Sequence, residues 1–368
     1  MNLPSKFKIK FKQVLFLSTI WALCGVFNSI YVYSIFIDER VIFNDANYSF
    51  LLNLLINIIA PFFTGLTAGS FVIFFMKDKF RDKPALLSIF LNSIFYMLFI
   101  LIANVIGAYV YNSMYYGEYF FDPVVIKKTA YYFTTFAFFR GMAYWFIVVS
   151  FSAAFLQIID KYGQSVFWDF VRGKYNKPRE EERIFMFMDI KSSTTIAEKL
   201  GHLKFFDFLN EFYKDITDPI IYNDGEIYQY VGDEVVIYWS MKNGIEDAKC
   251  IKCFFDCKET IESLSDKYLK KFGFKPVFKA GVNYGPVTTG EIGIIKKDIV
   301  FSGDVLNTAA RIQKECNKYE TDFLASGNLI ELLNLDTKYS VIEKGDILLR
   351  GKAEKTTLFS ISYNSLSG

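Results

Sequence analysis

Apolar residues are concentrated in the first part of the chain, where they form long runs. Four such runs lie before residue 160, from about Val14 to Ile37, Phe50 to Met76, Ala85 to Tyr111 and Ala130 to Ile159. Each is at least as long as the roughly 18 residues that a helix needs to cross a bilayer. The pattern predicts an N-terminal bundle of four transmembrane helices over residues 1–160. The first run exceeds a signal-peptide core and lacks a small-residue cleavage pattern, so we expect it to be retained.

Basic residues are distributed unevenly between the connections of these runs. The basic clusters are Lys6, Lys8, Lys10 and Lys12 before the first run; Lys77, Lys79, Arg81 and Lys83 between the second and third; and Lys161, Arg172, Lys174 and Lys177 after the fourth. The other two connections are close to balanced in charge. By the positive-inside rule, the N-terminus and the segment after the fourth run are cytoplasmic. The sequence therefore predicts a multi-pass protein of the cell (inner) membrane, with the lipid bilayer as a partner.

Polar residues interrupt the apolar runs at several points. They are Asn28, Asn53, Asn57, Asn92, Asn104 and Arg140. Interhelical hydrogen bonding explains such positions in many membrane proteins, and a ligand or ion site is the alternative. Arg140 in particular needs a partner, because an isolated cation inside a span is costly. No run of acidic residues and histidine suggests a proton relay, which argues against a transporter.

The composition changes at about residue 160 from apolar to polar. Within residues 161–182, four apolar residues have the spacing of a short amphipathic helix. They are Val166, Phe167, Phe170 and Val171. Such a helix either pairs with its copy in a dimer or acts as a plain tether, and the sequence favours neither. Lys177-Pro178 ends the helical pattern.

Residues 183–368 alternate between strand-like and helix-like patterns. In chain order, the elements are the strand IFMFMDI, a helix from Ser192 to Ile221, a hairpin around Gly232-Asp233-Glu234, a helix from Glu246 to Tyr268, the strand-rich VFKAGVNYGPVTTGEIG, the helix DVLNTAARIQKEC and a final strand pair around Ile347 to Tyr363. This order predicts a cytosolic α+β domain of ferredoxin-like type, a split βαββαβ sheet with extra strands. His202, the single histidine, falls early in the first helix and is expected at the surface.

The bulk composition limits the possible functions further. The 52% hydrophobic and 19% aromatic content exceeds that of ordinary soluble proteins. A formal net charge of only +2 gives no indication of a nucleic-acid partner. Of five cysteines, Cys250, Cys253 and Cys257 share one helical face. We expect them in the core, because a metal cluster would need a fourth ligand, and a disulfide framework is not expected in the cytosol.

Two carboxylates stand out from the apolar pattern. Asp189 lies near the end of the first strand, and Asp233 lies in the hairpin turn. In a split βαββαβ sheet the first strand and the hairpin are neighbours, so both carboxylates are expected at one point. They would repel each other there unless a cation lies between them. Oxygen ligation of Mg²⁺ or Mn²⁺, completed by a nucleotide phosphate, meets that requirement, although each acid alone is also typical of an ordinary turn or cap.

Two further groups of residues fit phosphate chemistry. Ser192, Ser193 and Thr194 open the helix that follows the first strand, where free backbone N–H groups suit a triphosphate. Asn307 and Arg311 are four residues apart and therefore lie on one helical face. An amide and a fixed cation so placed suit the orientation of a ribose and the neutralisation of a phosphoryl group.

Four ordered motifs resemble those of a known family. IFMFMDIKSST, QYVGDEVV, AGVNYGPVTTGEIG and SGDVLNTAAR occur in this order, and over roughly Ile184 to Tyr363 the chain is similar to the catalytic domain of class III adenylate/guanylate cyclases. The resemblance implies that Asp189 and Asp233 bind two Mg²⁺ or Mn²⁺ ions, with the carbonyl of Ile190 as a further ligand.

The same resemblance implies the remaining roles. Asn307 and Arg311 match the family's transition-state pair, and Arg350 falls where the family usually has a lysine for the terminal phosphates. Cyclases of this kind are dimers in which one subunit supplies the metals and the other the Asn/Arg pair, so a homodimer with two sites is expected. The implied reaction is attack of the 3′-hydroxyl of ATP on its own α-phosphorus, giving 3′,5′-cyclic AMP and pyrophosphate.

The choice of purine is where the chain departs from the family. Gln229 stands where adenylyl cyclases usually carry Lys and guanylyl cyclases Glu, and the partner position aligns with Val300, or with Ser302 if the loop is shifted. A glutamine amide pairs with adenine in one orientation and with guanine in the other. ATP is favoured because prokaryote-like membrane cyclases of this family are usually adenylyl cyclases, and GTP is the alternative.

Two other functions are compatible with parts of the pattern. Val231-Gly232-Asp233-Glu234-Val235 is two substitutions from the GGDEF signature of diguanylate cyclases, but those enzymes lack the downstream Asn-x-x-x-Arg helix. A catalytically inactive receptor or scaffold is the other possibility. The presence of both aspartates together with Asn307 and Arg311 argues against it.

Overall fold

The described residues of this computed structural model are 5–38, 49–80, 83–295, 297–348 and 355–363. They divide into two compact units, of which the first is Phe7–Phe167 and the second begins at Trp168.

The first unit is helical. Its helices are α1 (Ser5–Asp38), α2 (Phe50–Phe71), a π-helical turn (Val72–Met76) and a 3₁₀ turn (Lys77–Phe80) that continue α2, α3 (Ala85–Tyr116), α4 (Pro123–Tyr132) and α5 (Phe136–Tyr162). Among the described residues, four helices are long and apolar enough to cross a membrane, which confirms the four predicted apolar helices. They cover Ile9–Ser34, Phe50–Met76, Ala85–Tyr116 and Phe136–Lys161. The fourth begins at Phe136 rather than near Ala130, because Thr135 caps α5 by accepting a hydrogen bond from Phe138 N.

Small residues bring α1 and α2 close together. A Cβ atom added at Gly65 would lie 2.7 Å from Ser18 Cα, so the two backbones approach to a distance that a larger side chain would prevent. The bundle core next to this contact is aromatic: the Trp21 and Tyr96 rings meet edge to face at 5.3 Å. Both side chains are fully buried.

The second unit consists of one sheet with helices on both faces. In chain order its elements are α6 (Gln164–Val171, which starts in the first unit), β1 (Arg179–Ile190), α7 (Ser193–Leu200), α8 (His202–Tyr222), β2 (Glu226–Val231), β3 (Glu234–Ser240), α9 (Met241–Ile245), a 3₁₀ turn (Glu246–Ala248), α10 (Lys249–Ser263), α11 (Ser265–Phe272), β4 (Phe278–Ile292), β5 (Asp298–Ser302), α12 (Asp304–Glu315), β6 (Phe323–Ser326), α13 (Gly327–Ile330), β7 (Tyr339–Ile347) and β8 (Thr356–Tyr363). The strand order within the described residues is β2-β3-β1-β4-β6-β8-β7, with β5 paired to β4. This mixed sheet confirms the predicted α+β fold.

Strand β1 is central and covered on both faces. Met186 and Met188 point into a core formed with α8 and α10, and Phe185 and Phe187 point into a second core formed with α12. The uninterrupted apolar run of this strand follows from burial on both sides.

Several element boundaries differ from the sequence-based expectation. The predicted helix from Glu246 to Tyr268 is divided into a 3₁₀ turn, α10 and α11. The long helix after β1 is divided by Gly201, whose φ of 74° suits a glycine. Strand β4 runs unbroken for 15 residues despite its glycines, and the final strand pair begins at Tyr339 rather than near Ile347. The cysteines of α10 are buried in the core and His202 is exposed, as predicted.

Helix α12 lies unusually close to strand β4. A Cβ atom added at Gly281 would lie 2.6 Å from Gln313 Cα and 2.8 Å from Ala309 O. Because both partners are parts of a helix backbone, they cannot move aside as a flexible side chain would. The absence of a side chain at Gly281 therefore determines how close α12 lies to the sheet.

We expect Gly281→Ala to lower the free energy of unfolding by about 2 kcal/mol, in the range of overpacked cores. For a domain of this size that corresponds to a fall of about 4–8 °C in the unfolding temperature, which scanning calorimetry of the purified full chain measures. Gly285→Ala is the matched control on the same strand, because its Cβ would lie 3.5 Å from Val305, an ordinary contact. Equal unfolding temperatures for the two variants would contradict the close packing of α12.

Candidate active site

Asp189 occupies the second-last position of the central strand β1. It lies between Glu234 of β3 and Lys279 of β4 in the antiparallel register. Its carboxylate accepts a hydrogen bond of 3.1 Å from Gln313 Nε2 of α12. Lys279 Nζ is 3.9 Å from the same carboxylate oxygen. An amide and a cation from two different elements thus hold Asp189 in place.

Asp233 lies in the two-residue turn between β2 and β3. Gly232, the first central residue of that turn, has φ of 64°, which L-residues with side chains rarely adopt. The hydroxyl of Tyr213 donates a 2.8 Å hydrogen bond to the carbonyl oxygen of Gly232. Since Glu234 pairs with Asp189, the turn brings Asp233 next to Asp189, close enough for its carboxyl group to affect the pKa of Asp189.

Several carboxyl groups lie close together around Asp189, and this proximity affects their pKa values. Burial, and then the neighbouring Asp233 carboxyl, raises the pKa of Asp189 above its usual range, although Lys279 and Gln313 act in the opposite direction. Burial also raises the pKa of Glu234. A nearby dication would relieve both effects, because it favours the charged form of each carboxyl group.

The oxygen donors at this point fit Mg²⁺ or Mn²⁺. The two carboxylates, together with the carbonyl of Ile190 that the family resemblance implies, would provide part of a coordination shell, and such ions are commonly held by one or two carboxylates plus substrate phosphates. Within the described parts of the chain, no group of three or more His, Cys, Asp or Glu side chains is arranged to hold a metal ion.

The start of α7 follows directly after β1. Ser192 has a left-handed backbone conformation, with φ of 58°, and its side chain makes no capping hydrogen bond. Ser193 and Thr194 form the first turn of the helix, whose leading N–H groups are left without a side-chain cap. The ammonium group of Lys191 is already engaged in an ion pair of 2.6 Å with Asp322. Backbone donors, rather than this lysine, are therefore the groups offered to an anion here.

Asn307 and Arg311 project from α12 on a different side from Gln313. Successive helical residues are rotated by about 100°, so Arg311 points about 200° away from Gln313, which contacts Asp189. Asn307 is exposed. The Nη1 atom of Arg311 is buried and has no hydrogen-bond partner in the described residues. The pair therefore faces away from Asp189 of its own chain.

A β-bulge determines the direction of Gln229. The register between β2 and β3 shifts between Ile227 and Gln229, so that Gln229 lies opposite Val236. It therefore faces the same side of the sheet as Asp189. Tyr228 OH accepts a 3.4 Å hydrogen bond from the backbone N–H of Phe301.

Val300 lies on β5 opposite Gly290 and is half-buried. Tyr228, which precedes Gln229, thus contacts Phe301, which follows Val300. Arg350, the remaining predicted site residue, lies outside the described residues.

Three residues next to the aspartates were not anticipated from the sequence. They are Lys279, Gln313 and Tyr213, which contact Asp189 or its neighbouring turn. For Lys279 a signal existed, because a lysine interrupts the apolar strand pattern just as Asp189 does. Tyr213 gave no comparable signal, since it appears as one aromatic residue among many on α8.

Comparison with known proteins adds a family to this geometry. Residues 175–362 match the family model of the adenylate and guanylate cyclase catalytic domain. "Adenylate cyclase 2" of Rhizobium meliloti is 33% identical over 213 residues, 58% of this chain and 59% of that protein. Guanylyl cyclase C of Mus musculus is 27% identical over 180 residues, 48% of this chain and 16% of that protein. The chain thus spans well under two thirds of the length of either relative.

Solved structures of cyclases align with about half of the chain. A bacterial light-regulated adenylyl cyclase aligns with a TM-score of 0.49 at 20% identity and covers 56% of this chain and 60% of its own. The adenylyl cyclase CyaB of P. aeruginosa aligns with a TM-score of 0.45 at 19% identity, covering 50% and 96%. The family model matches more than half of the length of this chain. The chain therefore belongs to the adenylate and guanylate cyclase catalytic domain family.

Proposed function

We propose that this protein is a membrane-bound adenylate cyclase that converts ATP to 3′,5′-cyclic AMP and pyrophosphate. It acts as a homodimer with two shared sites, and the cyclic nucleotide serves intracellular signalling. Residues 1–160 form the membrane domain, residues 161–182 the linker, and residues 183–368 the cyclase domain. The N-terminus and the cyclase domain are cytoplasmic, in accordance with the basic connections of the bundle.

The position of Asp233 in the β2–β3 turn beside Asp189 is the observation that carries this proposal. In the absence of a cation, two neighbouring carboxylates cost free energy. When bound there, Mg²⁺ or Mn²⁺ lowers the pKa of the nucleotide 3′-hydroxyl and stabilises the leaving pyrophosphate. Gln313 and Lys279 hold the Asp189 carboxylate in a fixed position while the triphosphate binds.

The remaining residues bind and orient the nucleotide. The backbone N–H groups of Ser192, Ser193 and Thr194, at the start of α7, donate hydrogen bonds to phosphate oxygens. The amide of Asn307 orients the ribose, and the guanidinium of Arg311 stabilises charge on the α-phosphoryl group as the bond from O3′ to phosphorus forms and the bond to pyrophosphate breaks. The family resemblance assigns Arg350 to the terminal phosphates.

The direction of Asn307 and Arg311 supports the proposed homodimer. Their face of α12 points away from the Asp189 of the same chain. A buried guanidinium nitrogen without a partner, at Arg311, indicates a missing anionic ligand. A site assembled from the aspartates of one subunit and the α12 pair of the other satisfies both observations.

Guanylate cyclase activity is the second candidate, and Gln229 is the observation that keeps it open. Its amide offers one donor and one acceptor, which match either purine. We favour ATP because the relative with 33% identity is named an adenylate cyclase. Turnover of ATP and of GTP by the full chain in lipid, each with Mg²⁺ and with Mn²⁺, decides between them, and no turnover of either would indicate an inactive receptor or scaffold.

We expect Asp189→Asn and Asp233→Asn each to reduce turnover by more than the roughly 100-fold that loss of an outer-shell metal partner can cost. The fold should remain intact, because removal of one charge relieves the repulsion between the two carboxyl groups. Asp207→Asn, at an exposed position of α8, is the matched control with unchanged turnover. Activity above a tenth of the wild-type value in both site variants would overturn the assignment of the metal ligands.

Mixing two inactive variants tests the shared site. Asp189→Ala and Arg311→Ala subunits, mixed in equal amounts, should regain about a quarter of wild-type turnover, because half of the dimers are mixed and each has one intact site out of two. Asp189→Ala mixed with Asp233→Ala is the control that should stay inactive, since both changes affect the same half of each site. Failure of the first mixture, with mixed dimers demonstrated, would contradict the shared site.

Substitutions of Gln229 should move the purine preference in opposite directions. We expect Gln229→Lys to raise the ratio of kcat/KM for ATP over GTP by about tenfold, and Gln229→Glu to lower it by a similar factor. The reason is that a single hydrogen-bonding contact with a base edge changes discrimination between two bases by about tenfold. Both ratios are measured on the full chain with the same metal ion. If neither ratio changes, Gln229 does not contact the purine.

A further inference from the structure

The first unit contains a partly open cavity of about 490 Å³ between its helices. Asn53 and Asn57 line it from the beginning of α2, Asn104 and Asn112 from the second half of α3, and Arg140 from the beginning of α5. These helix ends lie at the same end of the bundle. By the positive-inside rule this end faces away from the cytoplasm. The volume is within the range of small-molecule sites.

The amide groups in this cavity are held in fixed orientations. Asn104 Nδ2 donates to Ile100 O at 3.0 Å, and Asn112 Nδ2 donates to Thr129 Oγ1 at 3.0 Å. Asn57 Nδ2 donates to Asn53 O at 2.9 Å. The amide oxygen of Asn57 accepts a hydrogen bond from Asn28 Nδ2 at 3.3 Å. The bonds of Asn104 and Asn112 employ their NH₂ groups, which leaves the oxygens of these two amides to accept hydrogen bonds from a ligand.

Arg140 places a positive charge in this apolar region. Among the described residues, no Asp or Glu forms an ion pair with Arg140. Tyr132, which lines the same cavity, lies close enough to interact with its charge. A cation inside a membrane helix is costly unless a counter-charge is close. An anionic group in the cavity would supply that counter-charge.

Two tryptophans form the inner end of the cavity. The Trp21 and Trp145 rings lie 6.1 Å apart and both line it. Trp21 is fixed by a hydrogen bond of 3.1 Å from its Nε1 to Ser152 Oγ. This end therefore offers rigid apolar surface, opposite in character to the amides and Arg140. Such a division suits a molecule with one charged end and one apolar end.

We propose that this cavity binds a small organic carboxylate with an apolar body. The carboxylate pairs with the guanidinium of Arg140, donor groups of the ligand bond to the oxygens of Asn104 and Asn112, and the apolar body packs against Trp21 and Trp145. The inference does not depend on the cyclase reaction, because every residue involved lies in the first unit.

Binding is measured on the full chain in lipid nanodiscs by quenching of intrinsic tryptophan fluorescence. The probes are hexanoate, phenylacetate and 4-hydroxyphenylacetate, each compared with its uncharged amide at equal ionic strength. We expect at least one acid to bind saturably and at least about tenfold more tightly than its amide, as for loss of a charge-assisted hydrogen bond. Absence of saturable binding by all three acids, or equal binding of acids and amides, would overturn the proposal.

Arg140→Gln should weaken binding of the acid by at least about tenfold and leave binding of the amide unchanged, whereas Arg140→Lys should retain most of the affinity for the acid. Lys127→Gln is the matched control, because it removes a charge from an exposed position outside the cavity lining. Equal binding of the acid by Arg140→Gln and Lys127→Gln would contradict the role of Arg140. If Arg140→Gln does not fold, the comparison of acids with amides in the wild-type protein decides alone.

Discussion

The proximity of Asp189 and Asp233 is the constraint on which the cyclase unit depends. Burial, and then the neighbouring Asp233 carboxyl group, raises the pKa of Asp189 and so makes its ionisation costly. The protein nevertheless fixes both positions: Asp189 by Gln313 and Lys279, and the turn of Asp233 by Tyr213. These contacts hold the two carboxyl groups in an arrangement that is unfavourable without a cation, and the proposed divalent ion would compensate it.

Helix α12 connects the two halves of the proposed reaction. Its inner side is pressed against β4 because Gly281 leaves no room for a side chain, and Gln313 on that side holds Asp189. Its other side presents Asn307 and Arg311. In the proposed homodimer, this single helix would connect the metal ligands of one site with the phosphoryl-binding pair of the other. Displacement of α12 would disturb both sites, which gives the close packing at Gly281 a functional consequence.

Much of this arrangement was readable from residue patterns. The apolar run of β1 predicted a buried strand, and an acid within that run predicted a polar site at its end. The division of the helix at Gly201 and the bulge before Gln229 were not readable, because both depend on backbone conformations that tertiary packing selects. The partners of Asp189 were missed for a related reason, since strand register and helix approach bring Lys279 and Gln313 together from distant parts of the sequence.

The same physical rule applies to the membrane unit. Arg140, like Asp189, is a charge retained in an apolar segment, and such a charge persists where a counter-charge is available at least part of the time. Few secondary-structure elements separate these two charged residues along the chain. Arg140 lies on α5, only Gly163 separates α5 from α6, and the strand that follows α6 is β1, which carries Asp189. An occupant that pairs with Arg140 would therefore act on the helix whose chain continues, through one short helix, into the strand that carries Asp189.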